Sequence, residues 1–392
     1  KTPPDSPMPD SDYNFQGNRL KLGVRATRGP VEVFVQGQYV LLNNLPEGGP
    51  GPGGTYYANT HKTFQQGVML RNGYLSVAGW GALQGFSATV GRMLYLDGAE
   101  APIKDPTLRW VVNQRVAQRL IGPFEYTMVG RSFDGGKLVW QNDQLNVTGF
   151  GFIPTRGGFE IDAMDDIPEI NVGGLALTVR DSPQLPRTTG RLFWIEYSDD
   201  RDVVVLDNRP LAVRQAEAGE PLDLHNLGAN VAHVEPLGPG RTDVLAYGVG
   251  QFGRWQSQKD VAWAYAFEAG YQLPDVWAAP WLRGGINRGS GDQDPNDDLH
   301  TTFFQMLPTA RLYAQTPFYN MMNNQDVFVQ AILQPLAYLN ARIDLHWLRT
   351  NDSNDFAYFG GGATKADFFG YGGVPSKGRH ELAYLVDLAL TF

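Results

Sequence analysis

The residues best placed to do chemistry are charged side chains that recur at every second position of alternating runs. Leu20, Leu22, Val24 and Ala26 stand on one face, with Lys21 and Arg25 on the other. Leu339, Ala341, Ile343, Leu345 and Trp347 likewise oppose Arg342, Asp344 and His346. By the same parity Glu32, Glu268, Arg283, Glu381 and Asp387 fall on the polar face of their own runs. A guanidinium offers several fixed donors and stays charged at working pH, so Arg25, Arg283 and Arg342 suit carboxylate ligands. The acids among them can neutralise those bases across strands, which makes a rigid wall the plainer reading.

Other chemistry finds less support. The six histidines, His61, His225, His233, His300, His346 and His380, are scattered, and none has a metal-binding spacing with a second ligand on its own face. Arg288-Gly-Ser-Gly-Asp292 continues to Asp294, Asp297 and Asp298 with alternating acids, but Phe303 stands where an EF-hand needs its bidentate acid. Asp292, Asp294 and Asp297 are therefore a weak candidate for calcium on a loop, and no other cofactor is expected. There is no Gly-x-Ser-x-Gly and no defensible Ser/His/Asp set, so an enzyme is not expected. Gly360-Gly-Gly362 lacks the strand–helix context of a phosphate loop.

These charged rows need strands to hold them. Period-two alternation puts successive side chains on opposite faces. It runs through Leu20–Thr27, Val31–Leu41, Phe86–Val90, Val261–Tyr271, Val276–Ile286, Leu339–Trp347 and Leu382–Phe392. Pro280 is awkward inside its run, because a barrel has no edge to hide it. Arg92 keeps step with Phe86 and Val90. Either its strand has reached the interface there, or a bulge at Gly91 turns it inward. Residues 107–121 have helical spacing in part, through Val112, Val116 and Leu120 with Arg115 and Arg119; a short helix and an irregular loop are both open. Residues 154–186 read mainly as a long acidic loop. The count is about sixteen strands.

Composition narrows the class. The chain has 392 residues, no cysteine, 46 glycines, 21 phenylalanines, 17 tyrosines and nine tryptophans. Mean hydropathy is only −0.29 and no run of about 20 apolar residues occurs, which excludes a spanning helix but not spanning strands. The net charge of −9 argues against nucleic acid as a partner.

The final run, which ends Asp387-Leu-Ala-Leu-Thr-Phe392, resembles the closing strand of a bacterial outer-membrane β-barrel. In such barrels a terminal Phe is the mark that the assembly machinery reads. Further strings carry a closer likeness: Gly91-Arg92, Arg131-Ser-Phe-Asp-Gly135, Arg288-Gly-Ser-Gly-Asp292 with Asp294-Pro-Asn-Asp-Asp298, Phe304-Gln-Met-Leu-Pro308 and Phe356-Ala-Tyr-Phe-Gly-Gly-Gly362. Together they resemble the alginate-export family of Gram-negative outer-membrane barrels, over roughly residue 86 to the end.

The resemblance implies an all-β, transmembrane antiparallel barrel in the outer membrane, eighteen-stranded with sixteen as the alternative. It implies a monomer among outer-membrane lipids that passes an anionic polysaccharide such as alginate; a diffusion porin for small anions is the second reading. Residues 1–17 then form a periplasmic lead-in and 18–392 a single barrel with long extracellular loops. Both termini are expected on the periplasmic side of a closed barrel. The expected lumen set is Lys21, Arg25, Glu32, Arg92, Arg131, Glu268, Arg283, Arg342, Asp344, His346 and Asp387. Deleting Phe392 should lower the amount of protein inserted in the outer membrane. Quantitative blotting of membrane fractions checks this, and unchanged insertion defeats the reading of the last strand.

Overall fold

Lipid supplies no hydrogen bonds, so strands that cross it must pair their backbone groups with one another. In the computed structural model the alternating runs do so. Residues 13–49, 51–79, 84–309, 313–314 and 320–392 are described. Among them one sheet holds sixteen strands, the lower of the two expected numbers. Neighbours in sequence pair antiparallel: β1 (Gln16–Arg28), β2 (Val31–Asn43), β3 (Gln65–Ala78), β4 (Phe86–Met93), β5 (Phe133–Gln141), β6 (Leu145–Pro154), β7 (Ile170–Val179), β8 (Thr188–Asp199), β9 (Leu222–Leu237), β10 (Gly240–Trp255), β11 (Gln258–Gln272) and β12 (Trp281–Gly289). β13 (Leu299–His300) is a short parallel addition to β11. β14 (Asn324–Leu336), β15 (Leu339–Thr350) and β18 (Glu381–Thr391) complete the path, while β16 (Phe356–Gly360) and β17 (Tyr371–Pro375) pair only with each other.

The parity of the sequence is the parity of the wall. Leu22, Val24, Phe267, Leu282 and Leu345 point outward and are exposed, whereas Glu268, Arg283, Asp344 and His346 point inward and are buried. Short turns join the strands at one end; the segments at the other end are mostly long. The turn at Gly29 and the loop between β2 and β3 begin this pattern. Three excursions from the long-loop end, within residues 94–132, 290–309 and 351–380, fold back inside. Their Tyr95, Leu120, Phe303, Phe304, Met306, Leu307, Tyr358, Phe369 and Tyr371 form one core with the inward Phe150, Phe193, Tyr197, Tyr247 and Trp255 of the wall. The lumen beside β6–β11 is therefore filled. β1 by contrast is exposed along nearly its whole length.

Several expectations change. β1 starts at the long-loop end and β18 finishes at the short-turn end, so the strand termini do not share a side. With β13 set apart, the fifteen spanning strands leave β1 and β18 running the same way, and among the described residues no pairing joins them into a closed seam. Of the lead-in, residues 1–12 lie outside the described residues, and β1 begins within the rest, at Gln16. Residues 154–186 are mainly loop, but β7 lies among them. Its Gly173-Gly174 and its apolar residues on both faces hide the alternation. The Val276–Ile286 run becomes a strand only from Trp281, so Pro280 precedes the ladder and costs it no bond.

Outward positions near mid-strand face hydrocarbon, where an arginine costs about 2–4 kcal/mol. Leu345→Arg should lower stability by about that amount in urea unfolding from lipid vesicles. A change below 0.5 kcal/mol, on the order of that for an ordinary surface site, would contradict the outward assignment.

Candidate functional site

Excursion 94–132 carries the first half of the site. Asp105 caps helix α2 (Pro106–Val111) by accepting a 2.9 Å bond from the Leu108 amide, and Pro106 fits the first turn, where its missing N–H is not needed. A single π turn (Val112–Val116) follows. Val112, Val116 and Leu120 are buried, as their spacing suggested, and the same stretch aims Arg115 and Arg119 into the barrel. α2 packs on Ala232, Val234, Leu245 and Trp281 near the short-turn mouth, so this excursion crosses most of the lumen. The Asp105 amide donates to Asp181 at 3.0 Å, and its carboxylate lies 4.0 Å from Arg241 at the short-turn mouth.

Three guanidinium groups converge on one carboxylate. Arg115 Nε donates to Glu268 Oε2 at 2.7 Å, Arg119 Nη2 to Glu268 Oε1 at 3.1 Å, and Arg283 Nη1 to Glu268 Oε2 at 3.2 Å. Arg283 also grips Asp243 with Nε at 3.0 Å and Nη2 at 2.8 Å, and Trp281 Nε1 donates to the same carboxylate at 2.7 Å. Arg119 Nη1 reaches Asn287 Oδ1 at 3.0 Å. Arg115 lies over Phe328 at 4.5 Å, and Arg119 over Tyr313 at 4.4 Å, so aromatic faces cover the cations. Gly270 admits this close packing: a Cβ there would stand 2.3 Å from Asp243 Oδ2 and 2.6 Å from Arg283 Cγ. All five ionised side chains are buried, and among the described residues three positive charges face two negative ones.

A second basic row lies on the open side of the lumen. Lys21 Nζ bonds both oxygens of Glu125 at 3.2 and 3.0 Å, and Arg71 shares that carboxylate. Arg19 donates to the Thr127 carbonyl at 3.0 Å, and Arg25 meets Glu32 at 3.1 Å.

The other expected residues lie outside the Glu268 cluster. Arg342 Nε donates to Asp344 at 2.6 Å on the inner face of β15. His346 Nδ1 lies 3.0 Å from Asp326, and Asp387 on β18 is directly opposite Asp344. Arg92 is not a lumen residue. It keeps its outward parity one pair short of the end of β4, where Asp134 meets it at 2.5 Å and the Met164 carbonyl at 2.7 Å. The strand has reached its rim, and no inward turn is needed. Arg131 does not line a passage either. It sits in the excursion before β5, fully buried, and donates to the carbonyls of Leu307, Gly361 and Ala363 at 3.1, 3.0 and 2.9 Å, which ties the three excursions together.

The acidic loop does not converge as a calcium site. Asp292, Asp294 and Asp297 each accept an amide two residues on, as turn caps. Burial, with Asp355 and Asp297 nearby, raises the Asp292 carboxyl to about 6. Phe392 is 85 % exposed beyond the end of β18. Sequence reading missed Asp243 and Arg71, both legible by parity once their strands are known. It noted Arg115 and Arg119 as a helical pair but had no means to bring them to Glu268.

The family model described as alginate export matches residues 113–389. Among solved structures, OccK2 (OpdF) of Pseudomonas aeruginosa, in complex with glucuronate, is 11% identical with a TM-score of 0.51; the alignment covers 96% of this chain and 91% of that one. Acinetobacter baumannii OccAB2 is 8% identical with a TM-score of 0.53, covering 86% and 75% of the two chains. A BenF-like porin from Pseudomonas fluorescens Pf-5 is 12% identical with a TM-score of 0.51, covering 84% and 75%. These likenesses are of fold. No curated protein sequence matches the chain.

Removing one member of a buried ion cluster leaves the others uncompensated, at about 3–5 kcal/mol. Glu268→Gln should therefore lower stability by about that amount and speed amide exchange across 105–121. Exchange in 105–121 equal to that of the parent chain would show that Glu268 does not hold the excursion inside.

Proposed function

The chain belongs to the alginate export family of integral outer-membrane β-barrels, and from that premise we propose that it passes an anionic, carboxylate-bearing polysaccharide out through its lumen. The observation that carries this is the basic lining. Arg19, Lys21 and Arg71 gather around a single Glu125 beside the exposed inner face of β1, while Arg115, Arg119 and Arg283 outnumber Glu268 and Asp243 deeper in. A channel with surplus fixed cations lowers the barrier for anions and raises it for cations. Lys21 and Arg25 are the groups that a passing chain can touch, since Arg283 is locked on two carboxylates and 2 % exposed. Arg283 then acts through the field it sets rather than by contact. The family and the fold neighbours are channels, so transport rather than catalysis is the activity.

A second reading, a diffusion porin for small acids, draws on one fact: a fold neighbour was solved in complex with glucuronate, a single uronic acid. Phe392 fits recognition by the barrel-assembly machinery, and the unit is proposed to act as a monomer.

Planar-bilayer recording separates these readings. Under a salt gradient the reversal potential should show anion preference, and oligouronates should block current at concentrations where neutral oligosaccharides of equal length do not. Lys21→Glu with Arg25→Glu should shift the reversal potential toward cations. Cation preference in the parent chain, or equal block by both sugars, would overturn the proposal. Passage of a free uronate without block by its oligomers would establish the diffusion porin.

A further inference from the structure

The inner faces of β15 and β18 bring together groups that the transport reading does not use. Asp344 and His346 are two residues apart on β15, so both point inward, and they are 1 % and 3 % exposed. Asp387 stands directly across from Asp344 in the β15–β18 ladder. One ligand atom from each of Asp344, His346 and Asp387 lies within 4.8 Å of the other two, and among the described residues no other group of His, Cys, Asp or Glu converges in this way.

Opposed carboxylates on one face of a ladder repel. Arg342 pairs with Asp344 through Oδ2 at 2.6 Å. Asp344 Oδ1 is buried and has no hydrogen-bond partner among the described residues. A buried carboxylate oxygen left unpaired is costly, and a bound cation removes that cost. His346 is arranged as a ligand would be. Its Nδ1 contacts both oxygens of Asp326, at 3.0 and 3.1 Å, and its ring is stacked on Phe328 with centroids 5.8 Å apart. A carboxylate on Nδ1 fixes the ring and its tautomer and presents Nε2 to a metal.

We propose that Asp344, His346 and Asp387 bind a divalent transition cation that ties the last strand to β15 inside the barrel, with Asp326 as the positioning residue for His346. One imidazole and two carboxylates match zinc-like ions better than calcium, which takes six to eight oxygens. Zn–N and Zn–O bonds of about 2.0–2.2 Å would draw the three ligand atoms closer together than they now stand. The pair Asp344–Asp387 sits near the middle of both strands, so the cation would act at the depth where the wall is surrounded by hydrocarbon.

The test uses the full chain, purified in detergent and stripped with a chelator. Zinc titrated by calorimetry should bind at one equivalent per chain, cobalt should give a visible d–d spectrum there, and calcium should not compete. His346→Gln, shown to be folded by its heat-dependent gel mobility, should lose that equivalent. Asp326→Asn should weaken it about 10–100-fold while keeping the stoichiometry. X-ray absorption of the zinc-loaded parent chain reads the ligands without any variant and should show one imidazole among oxygens. No binding of zinc or cobalt up to millimolar concentration, a zinc shell without imidazole, or a folded His346→Gln that binds like the parent would each overturn the site.

Discussion

Glu268 is the point on which the interior depends. A carboxylate buried in a barrel wall is tolerated only if it is paired, and this one is paired three times over. Two of its partners, Arg115 and Arg119, arrive on an excursion from the far end of the wall, and the third, Arg283, comes from the next strand. The ion cluster is thus a fastening between the sheet and what fills it. Gly270 makes room for it, Asp243 takes Arg283 Nε and Nη2, and Asn287 takes Arg119 Nη1.

From that fastening follows an uneven lumen. Beside β6–β11 the excursions bury large aromatic side chains against the wall. Arg131 holds the excursions to each other through three carbonyls, and Arg201 does the same with Phe368 and Lys365 at 2.7 and 3.1 Å. Beside β1 the inner face is exposed; Arg25 pairs with Glu32 there, and Lys21 and Arg71 share Glu125. In the transport role proposed above, selectivity and structure are divided between two sides of one barrel: buried arginines would set the field on the filled side, and accessible ones would meet solute on the open side.

The division also explains which residues sequence could assign. Parity sufficed to put Glu268, Arg283, Asp344 and His346 on the buried face, because a strand between lipid and protein has only two faces, and a charge belongs on one of them. It failed for Arg131, which is not in a strand. For Arg92 parity was right, and it left the inward turn unneeded: at a strand rim an outward charge meets Asp134 and backbone carbonyls instead of hydrocarbon. β7 was hidden because its glycines and apolar residues do not alternate cleanly.

Sequence by itself determined the architecture: an antiparallel β wall with an oily outer face, short turns alternating with long excursions, and inward rows of mixed charge. These follow from local periodicity, which each strand displays on its own. Only the tertiary structure decided what the inward charges do. Arg115 meets Glu268 across 153 positions of chain, and Asp387 meets Asp344 across a ladder interrupted by a 30-residue excursion numbered 351–380. Pairing of buried charge is settled by which groups share a low-dielectric space. That depends on how the excursions fold into the barrel, and nothing in the spacing of residues along one strand encodes it.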